Sequence, residues 1–222
     1  MSDDIRDARL ASELEEMTRL REESSLIDFK PNDDQLPDQY YVKFGCQGLA
    51  KKKKADSREV IGSTHHMVHI YLPADYPRVP PIIRFKTPIF HPNVRAMIDD
   101  DEAVQHLAEQ VGGLEKLEQL YHENPMVREM FDAHICLDVL KLNWTPAYTL
   151  YDICLELGAM IQYQRYNVDD PLNPEAAEWA RWAREQPNLL PIDARDLRDR
   201  LQVASLKSSS RTDIRILKVE KV

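Results

Sequence analysis

The stretch PADYPRVPPIIRFKTPIFHPNV occupies residues 73–94 and contains six of the fourteen prolines of the chain. Proline lacks a backbone N–H donor and restricts the residue before it, so neither 73–81 nor 87–94 can form a helix or an interior strand. The short run at 81–86 is rich in residues that favour β structure. The stretch therefore predicts a stiff, extended connection that contains one strand.

The residues before this connection change from a helical to a strand pattern. Over 5–22, Leu10, Leu14 and Met17 recur at a spacing of three to four among charged neighbours, which predicts an amphipathic helix. Partial alternation of β-branched and aromatic residues then predicts four strands, at 25–29, 39–49, 66–72 and 81–86. The lysine run 51–54 predicts a solvated hairpin loop. One helix followed by a four-stranded antiparallel meander indicates an α+β fold.

Two segments of opposite charge follow. Residues 99–132 contain ten acidic side chains and two basic ones, whereas 205–222 contain five basic and two acidic ones. Four apolar residues of the acidic segment recur at helical spacing, so we predict helices there: Val104, Leu107, Val111 and Leu114. The two charged segments could attract each other or different partners, but two solvated surfaces that never meet is the simpler interpretation.

Three later helices have recognisable starts. Thr149 is a candidate N-cap for a helix that buries an apolar face, and Asn173 followed by Pro174 has the same capping character. Asp193 is a candidate cap for a last helix that ends at Val203.

Composition excludes several classes of function. The 222 residues have a formal net charge of -9, which argues against binding to nucleic acid, because a phosphate backbone requires a basic face. No apolar run approaches the length of a membrane span, and no leader pattern begins the chain, so we expect a cytoplasmic protein without a membrane partner. Cys46, Cys136 and Cys154 are too scattered for a disulfide framework or a zinc motif. Alternation separates His66 from His65 and His69, so no metal site is predicted.

Five motifs occur in order along the chain: Tyr76-Pro77 with Pro80-Pro81, His91-Pro92-Asn93, residues 135–140 (ICLDVL), residues 144–147 (WTPA) and residues 169–176 (DDPLNPEA). Together they closely resemble the signatures of ubiquitin-conjugating enzymes, over roughly residues 6–187 apart from the acidic segment. The resemblance implies that family's fold: an N-terminal helix, an antiparallel meander, an active-site loop with a cysteine, and C-terminal helices.

The resemblance also assigns roles to residues of the site. Cys136 is the nucleophile that carries ubiquitin or a ubiquitin-like protein as a thioester, a reaction that needs thiolate character more than a strong base. Asn93 serves the oxyanion or holds the loop that shapes the site. Asp170 lies near the incoming lysine, orienting and desolvating it. Asp138 is a candidate second acidic group.

Other residues keep two interpretations. His91 alone is better explained as part of a rigid turn than as an acid or base, and His134, where a glycine is common in the family, is a further candidate for active-site support. Cys46 and Cys154 are expected in the core. Candidate partner-binding residues are Arg6, Arg9, Arg78, Trp144 and Pro146; the last two serve either packing or ligase binding, and Arg78 stands where many members of the family have a bulky apolar residue.

The acidic segment is a departure from the family pattern. The family normally has about eight residues between the asparagine and the cysteine, so residues 99–132 are an insertion of about 35 residues that puts the reach of Asn93 in doubt. We therefore predict a catalytic domain over 1–204 that contains this helical insertion, followed by a basic tail over 205–222.

The predicted function is acyl transfer. Cys136 accepts the modifier from an activating enzyme and passes it to a lysine amine or another thiol of an acceptor protein, with or without a ligase and with no cofactor. The alternative is a non-catalytic adaptor of the same fold that binds ubiquitin-like proteins. A hydrolytic enzyme that pairs Cys136 with His91 or His134 would need an oriented base, which no motif indicates.

Overall fold

The computed structural model describes residues 3–51, 60–95, 101–124, 127, 133–135 and 144–201. The helices are α1 (Asp3–Glu23), α2 (Asp101–Val111), α3 (Leu114–Glu123), α4 (Leu150–Ile161) and α5 (Pro174–Ala183). The strands are β1 (Ile27–Pro31), β2 (Gln39–Phe44), β3 (Gly48–Lys51), β4 (Val60–Ser63), β5 (His66–Tyr71), β6 (Ile82–Phe85) and β7 (Ala133–His134). None of the helices in this part of the chain combines the length and the apolar character that a membrane crossing requires.

The predicted meander and the α+β fold class are confirmed. Strands β1, β2, β5 and β6 pair antiparallel in that order, and β7 extends the sheet beyond β6. Alternate residues of β1, β2 and β5 are buried, so one face of the sheet forms the core. Helices α1 and α4 pack against each other, and each of them contributes fully buried apolar residues to this core.

The prediction of one strand over 39–49 is wrong. The chain bends after Phe44, and β3 pairs with β4 in a separate hairpin that the sequence did not predict. At Gly48, the first residue of β3, the backbone passes close to the end of α4, because a Cβ there would lie 2.8 Å from Cγ2 and 2.9 Å from the carbonyl oxygen of Ile161. Lys51, predicted in a loop, is the last residue of β3; the rest of the lysine run lies outside the described residues.

Two of the predicted helix caps are confirmed. The Thr149 hydroxyl accepts the Asp152 N–H at 3.3 Å, and the Asp152 carboxylate accepts the Thr149 N–H at 3.0 Å, which is a capping box. The Asn173 side chain accepts the Ala176 N–H at 3.1 Å, and Pro174 begins α5. The prediction for Asp193 is wrong: residues 193–196 are not helical. Its carboxylate instead accepts the Gln47 N–H at 2.9 Å and lies 2.7 Å from Arg195.

A buried carboxylate joins three parts of the fold. Glu13 is 1% exposed, and its Oε1 accepts the Tyr76 hydroxyl at 2.5 Å and lies 2.7 Å from the Arg9 guanidinium. Its Oε2 accepts the Leu150 N–H at 2.6 Å, at the start of α4. Burial raises the pKa of Glu13, although the bonds from Tyr76, Leu150 and Arg9 act in the opposite direction. Glu13 therefore connects α1, the proline-rich connection and α4.

We expect Glu13→Ala to lower the free energy of unfolding by about 3 kcal/mol, because it leaves the Arg9 charge and two buried donors without their acceptor. Urea denaturation measures this change. Glu16→Ala is the matched control: it removes an ion pair with Arg19, whose side chain is 52% exposed, and should change stability by less than about 0.5 kcal/mol. Equal effects of the two substitutions would contradict the role given to Glu13.

Candidate functional site

Two residues that flank the acidic segment 99–132, Val94 and Ile135, pair in an isolated antiparallel bridge. Val94 is fully buried and Ile135 is 5% exposed, so the bridge belongs to the core. Asn93 directly precedes one partner of this bridge, and Cys136 directly follows the other. Cys136 and Asp138 themselves lie outside the described residues, while His134 lies in β7, in register with Arg84 of β6.

The side-chain amide of Asn93 ties two loops together. Its Nδ2 donates to the Asn167 carbonyl at 3.0 Å, and its Oδ1 accepts the Asn167 N–H at 2.7 Å. Asn93 is only 7% exposed, which protects this reciprocal pair from water. A primary amide has two N–H donors, so Nδ2 of Asn93 has a second N–H that this pair does not use.

The loop that carries Asp170 is bound to the same turn at a second point. The Pro92 carbonyl accepts the N–H groups of Leu172 and Asn173, at 2.9 and 3.0 Å. Asn173 then caps α5, so the loop is held by the 91–93 turn on one side and by a helix start on the other. Asp170 lies between these attachment points with an exposed side chain. The turn and the Asp170 loop therefore form one bonded unit.

His91 is a buried, neutral part of this unit. Its Nδ1 accepts the Asn93 N–H at 3.1 Å, and its ring packs edge-on against Tyr163 with 4.8 Å between ring centroids. The Tyr163 hydroxyl donates to the Phe90 carbonyl at 2.6 Å. Burial lowers the pKa of His91 to about 3. An accepting Nδ1 in a neutral ring places the proton on Nε2. This geometry favours the rigid-turn interpretation of His91 over acid or base chemistry.

A second cluster contains Trp144, a candidate partner-binding residue. Its Nε1 donates to the Pro77 carbonyl at 2.9 Å, and its half-buried ring lies 6.0 Å from the ring of Tyr76 and 6.1 Å from that of Tyr148. Pro146, two residues later, is exposed. The Tyr76–Pro77 peptide bond is cis.

The three candidate arginines differ in how much surface they leave for a partner. Arg9 donates to the Tyr148 carbonyl at 2.5 Å and to the Tyr76 hydroxyl at 3.3 Å, in addition to its pair with Glu13. Its guanidinium therefore stabilises the cluster around Trp144. Arg6 donates to the Leu72 carbonyl at 3.4 Å and is 24% exposed. Arg78 pairs with Asp75 at 2.5 Å and is 60% exposed.

Sequence reasoning missed Glu13, Asn167 and Tyr163, which hold these clusters in place. Glu13 had a detectable pattern, because Leu10, Glu13, Met17 and Leu20 follow one another at helical spacing on the buried face of α1. A single carboxylate within an apolar stripe indicates a buried polar partner. Asn167 acts through its backbone and Tyr163 through its hydroxyl on a backbone carbonyl, so residue type alone does not reveal either contact.

One family model and one solved structure are similar to this chain. A family model described as "Ubiquitin-conjugating enzyme" matches residues 62–97 and 116–188, which leaves out part of the acidic segment. Among solved structures, the chain is similar to the E2 domain of a ubiquitin conjugating enzyme from Toxoplasma gondii. The sequence identity is 20%, the match covers 78% of this chain and 87% of that one, and the TM-score is 0.46.

The buried His91 predicts a dependence of stability on pH. An unfolded histidine has a pKa of about 6.5, and the folded pKa is about 3, so folding favours the neutral ring. The stabilisation is complete above about pH 6.5 and falls with decreasing pH by up to about 1.4 kcal/mol per pH unit. In His91→Asn, an amide oxygen still accepts the Asn93 N–H without a titratable group, as in an Asx-turn.

We expect the free energy of unfolding, measured with urea between about pH 7.5 and about pH 4.5, to change less with pH for His91→Asn than for the wild type. The slope of this free energy against pH should therefore be smaller for the variant. The slopes are compared, and not the absolute stabilities, because carboxylates titrate in both proteins. His65→Asn, which removes an exposed histidine, is the matched control. Equal slopes for the wild type and His91→Asn would contradict the burial of a neutral His91.

Proposed function

The chain belongs to the ubiquitin-conjugating enzyme family, and from this premise we propose that Cys136 carries ubiquitin or a ubiquitin-like protein as a thioester. The Val94–Ile135 bridge is the observation that carries the proposal. Asn93 and Cys136 each adjoin one partner of this bridge in sequence, so the proposal brings these two residues together. The acidic segment would then be no obstacle to a site composed of Asn93, Cys136 and the loop with Asp170.

The proposed reaction has two steps. In the first, the Cys136 thiolate attacks the thioester carbonyl carbon on the activating enzyme, whose own thiolate leaves. Acyl exchange between similar thiols is close to balanced in energy, because one thioester bond breaks and another forms. In the second, a lysine amine attacks the new thioester, a C–N bond forms, the C–S bond breaks and the amine loses a proton. A thiol acceptor would repeat the exchange of the first step.

We assign Asn93 to holding the loop. Both its Oδ1 and one N–H of its Nδ2 are already bonded to Asn167, so the amide acts as a bridge between the turn and the loop. Asp170 is exposed on this loop, where a carboxylate can accept a hydrogen bond from an incoming lysine and orient it. Asp138 and His134 remain candidates for support of the same site.

A ligase or an activating enzyme would bind to surfaces other than the proposed site around Cys136. Pro146 and Arg78 are exposed, and Trp144 offers part of its ring, so these three are the proposed ligase surface. Arg6 is the stronger candidate for binding the activating enzyme, because the guanidinium of Arg9 is committed to internal bonds. The compartment is proposed to be the cytoplasm.

Incubation with an activating enzyme, ATP and ubiquitin-like proteins should give an adduct that a thiol reductant removes. Cys136→Ser should give an oxyester that resists the reductant, and Cys136→Ala should give no adduct. Cys46→Ala is the matched control, because Cys46 is fully buried and burial raises the pKa of its thiol to about 12. An adduct that persists in Cys136→Ala would refute the assignment, and no adduct from any modifier would favour the adaptor.

The role of Asn93 can be separated from oxyanion binding. We expect Asn93→Ala to lower the free energy of unfolding by about 2 kcal/mol, because two partly buried backbone groups of Asn167 lose their partners. Single-turnover discharge of a preformed thioester to free lysine should then fall less than about tenfold. His91→Asn, which changes the same turn but not the amide, is the control. A loss of about 10²-fold or more with unchanged stability would assign Asn93 to the oxyanion instead.

A further inference from the structure

Helices α2 and α3 form a hairpin with an apolar groove on its surface; we call residues 101–123 the acidic hairpin. The helices pack against each other, and Gly112 and Gly113 turn the chain between them with φ of 100° and 119°, values that favour glycine. An open groove of about 350 Å³ has six lining residues: Val104, Leu114, Leu117, Glu118, Tyr121 and His122. Leu114 lines the groove and is 56% exposed, so the groove presents a large apolar side chain to solvent.

The charge around this groove restricts what can bind to it. Residues 101–124 contain six carboxylates and a single lysine, Lys116, whose Nζ donates to Gln119 at 2.9 Å. Glu109, Glu115 and Glu118 are exposed, and Glu118 also lines the groove. A ligand that matches this surface must combine apolar side chains with positive charge.

The C-terminal segment 205–222 of the same chain has this composition. Four of its five basic residues are interleaved with apolar ones over 211–222: Arg211, Ile214, Arg215, Ile216, Leu217, Lys218, Val219, Lys221 and Val222. Acidic residues number only two. The segment therefore offers both the charge and the side chains that the groove requires.

The segment is long enough to reach the hairpin. The described chain ends at Leu201, next to Arg200, which donates to the Arg21 carbonyl at 3.0 Å at the end of α1. The 21 residues that follow Leu201 span up to about 70 Å when extended. A compact chain of 222 residues has a radius of gyration of about 17 Å, so the extended segment can reach across it. Attachment to the same chain also gives the segment an effective concentration in the millimolar range.

We propose that residues 205–222 bind to the acidic hairpin, with apolar side chains in the groove and basic side chains against its carboxylates. The chain would thereby cover its own exposed Leu114. This inference does not depend on thioester chemistry, so it can fail or succeed independently of the function proposed for Cys136.

The test uses the full chain with photoreactive benzoylphenylalanine in place of Leu114, an exposed position where a larger side chain is tolerated. After irradiation at low salt, mass spectrometry of the monomer should locate the cross-links in 205–222. Replacing Arg211, Arg215, Lys218 and Lys221 by Glu should lower their yield at least about fivefold, and 1 M salt should act in the same direction because it screens charge. The same probe at Leu36, which is 39% exposed, is the control and should not capture the segment.

Three results would overturn the proposal. Cross-links between chains, detected by mixing isotopically labelled and unlabelled protein, would show that a second copy fills the groove. Cross-links to other segments, or none, would show that 205–222 do not bind there. A yield that does not respond to charge reversal would remove the electrostatic basis. Replacing Glu109, Glu115 and Glu118 by Lys, which makes 101–124 net positive, together with the four Glu substitutions should restore part of the yield.

Discussion

The bridge between Val94 and Ile135 is the constraint on which the site depends. A segment that leaves the core at one of these residues must return at the other, whatever its length. Lengthening a flexible connection from about 8 to about 40 residues costs only about 1.4 kcal/mol of closure entropy. Burying the Val94 and Ile135 side chains contributes more than this, at about 2 kcal/mol each. The core can therefore close a long acidic segment without losing the geometry of the turn that precedes it.

Neutral groups hold the site together. The bonds around the turn join the Asn93 amide to Asn167, the Pro92 carbonyl to Leu172 and Asn173, and the neutral His91 ring to the Asn93 N–H. Hydrogen bonds between neutral buried groups respond little to ionic strength, unlike surface ion pairs. The charged pair of Arg9 and Glu13 lies in the other cluster, next to Tyr76 and the start of α4. Neutral groups thus hold the turn at residues 91–93, and the charged contacts support a different part of the fold.

Local chemistry determined which elements were predictable from sequence. Thr149 and Asn173 were identified as caps because a cap depends on residues within one turn of it. The break between β2 and β3 was missed because the residues that contact this region, such as Ile161 beside Gly48, lie far away in the sequence. Asp193 was misassigned for the same reason, since its partner Gln47 lies on that bend. For the site, the motif order predicted the family, whereas the contacts of Asn93 required the fold.

In the proposed reaction, the acidic hairpin would have two opposing electrostatic effects on the site. Negative potential attracts lysine-rich acceptors and speeds encounter, but it also stabilises the ammonium form of lysine and the protonated form of a nearby thiol, neither of which is the nucleophile. Both effects fall off within about 8 Å at physiological salt, so they depend on what covers the carboxylates. A basic segment bound to the hairpin would weaken both effects together. Release of the segment would strengthen capture of the acceptor but weaken activation of the nucleophile. The charge of the segment would thereby adjust the balance between these two effects.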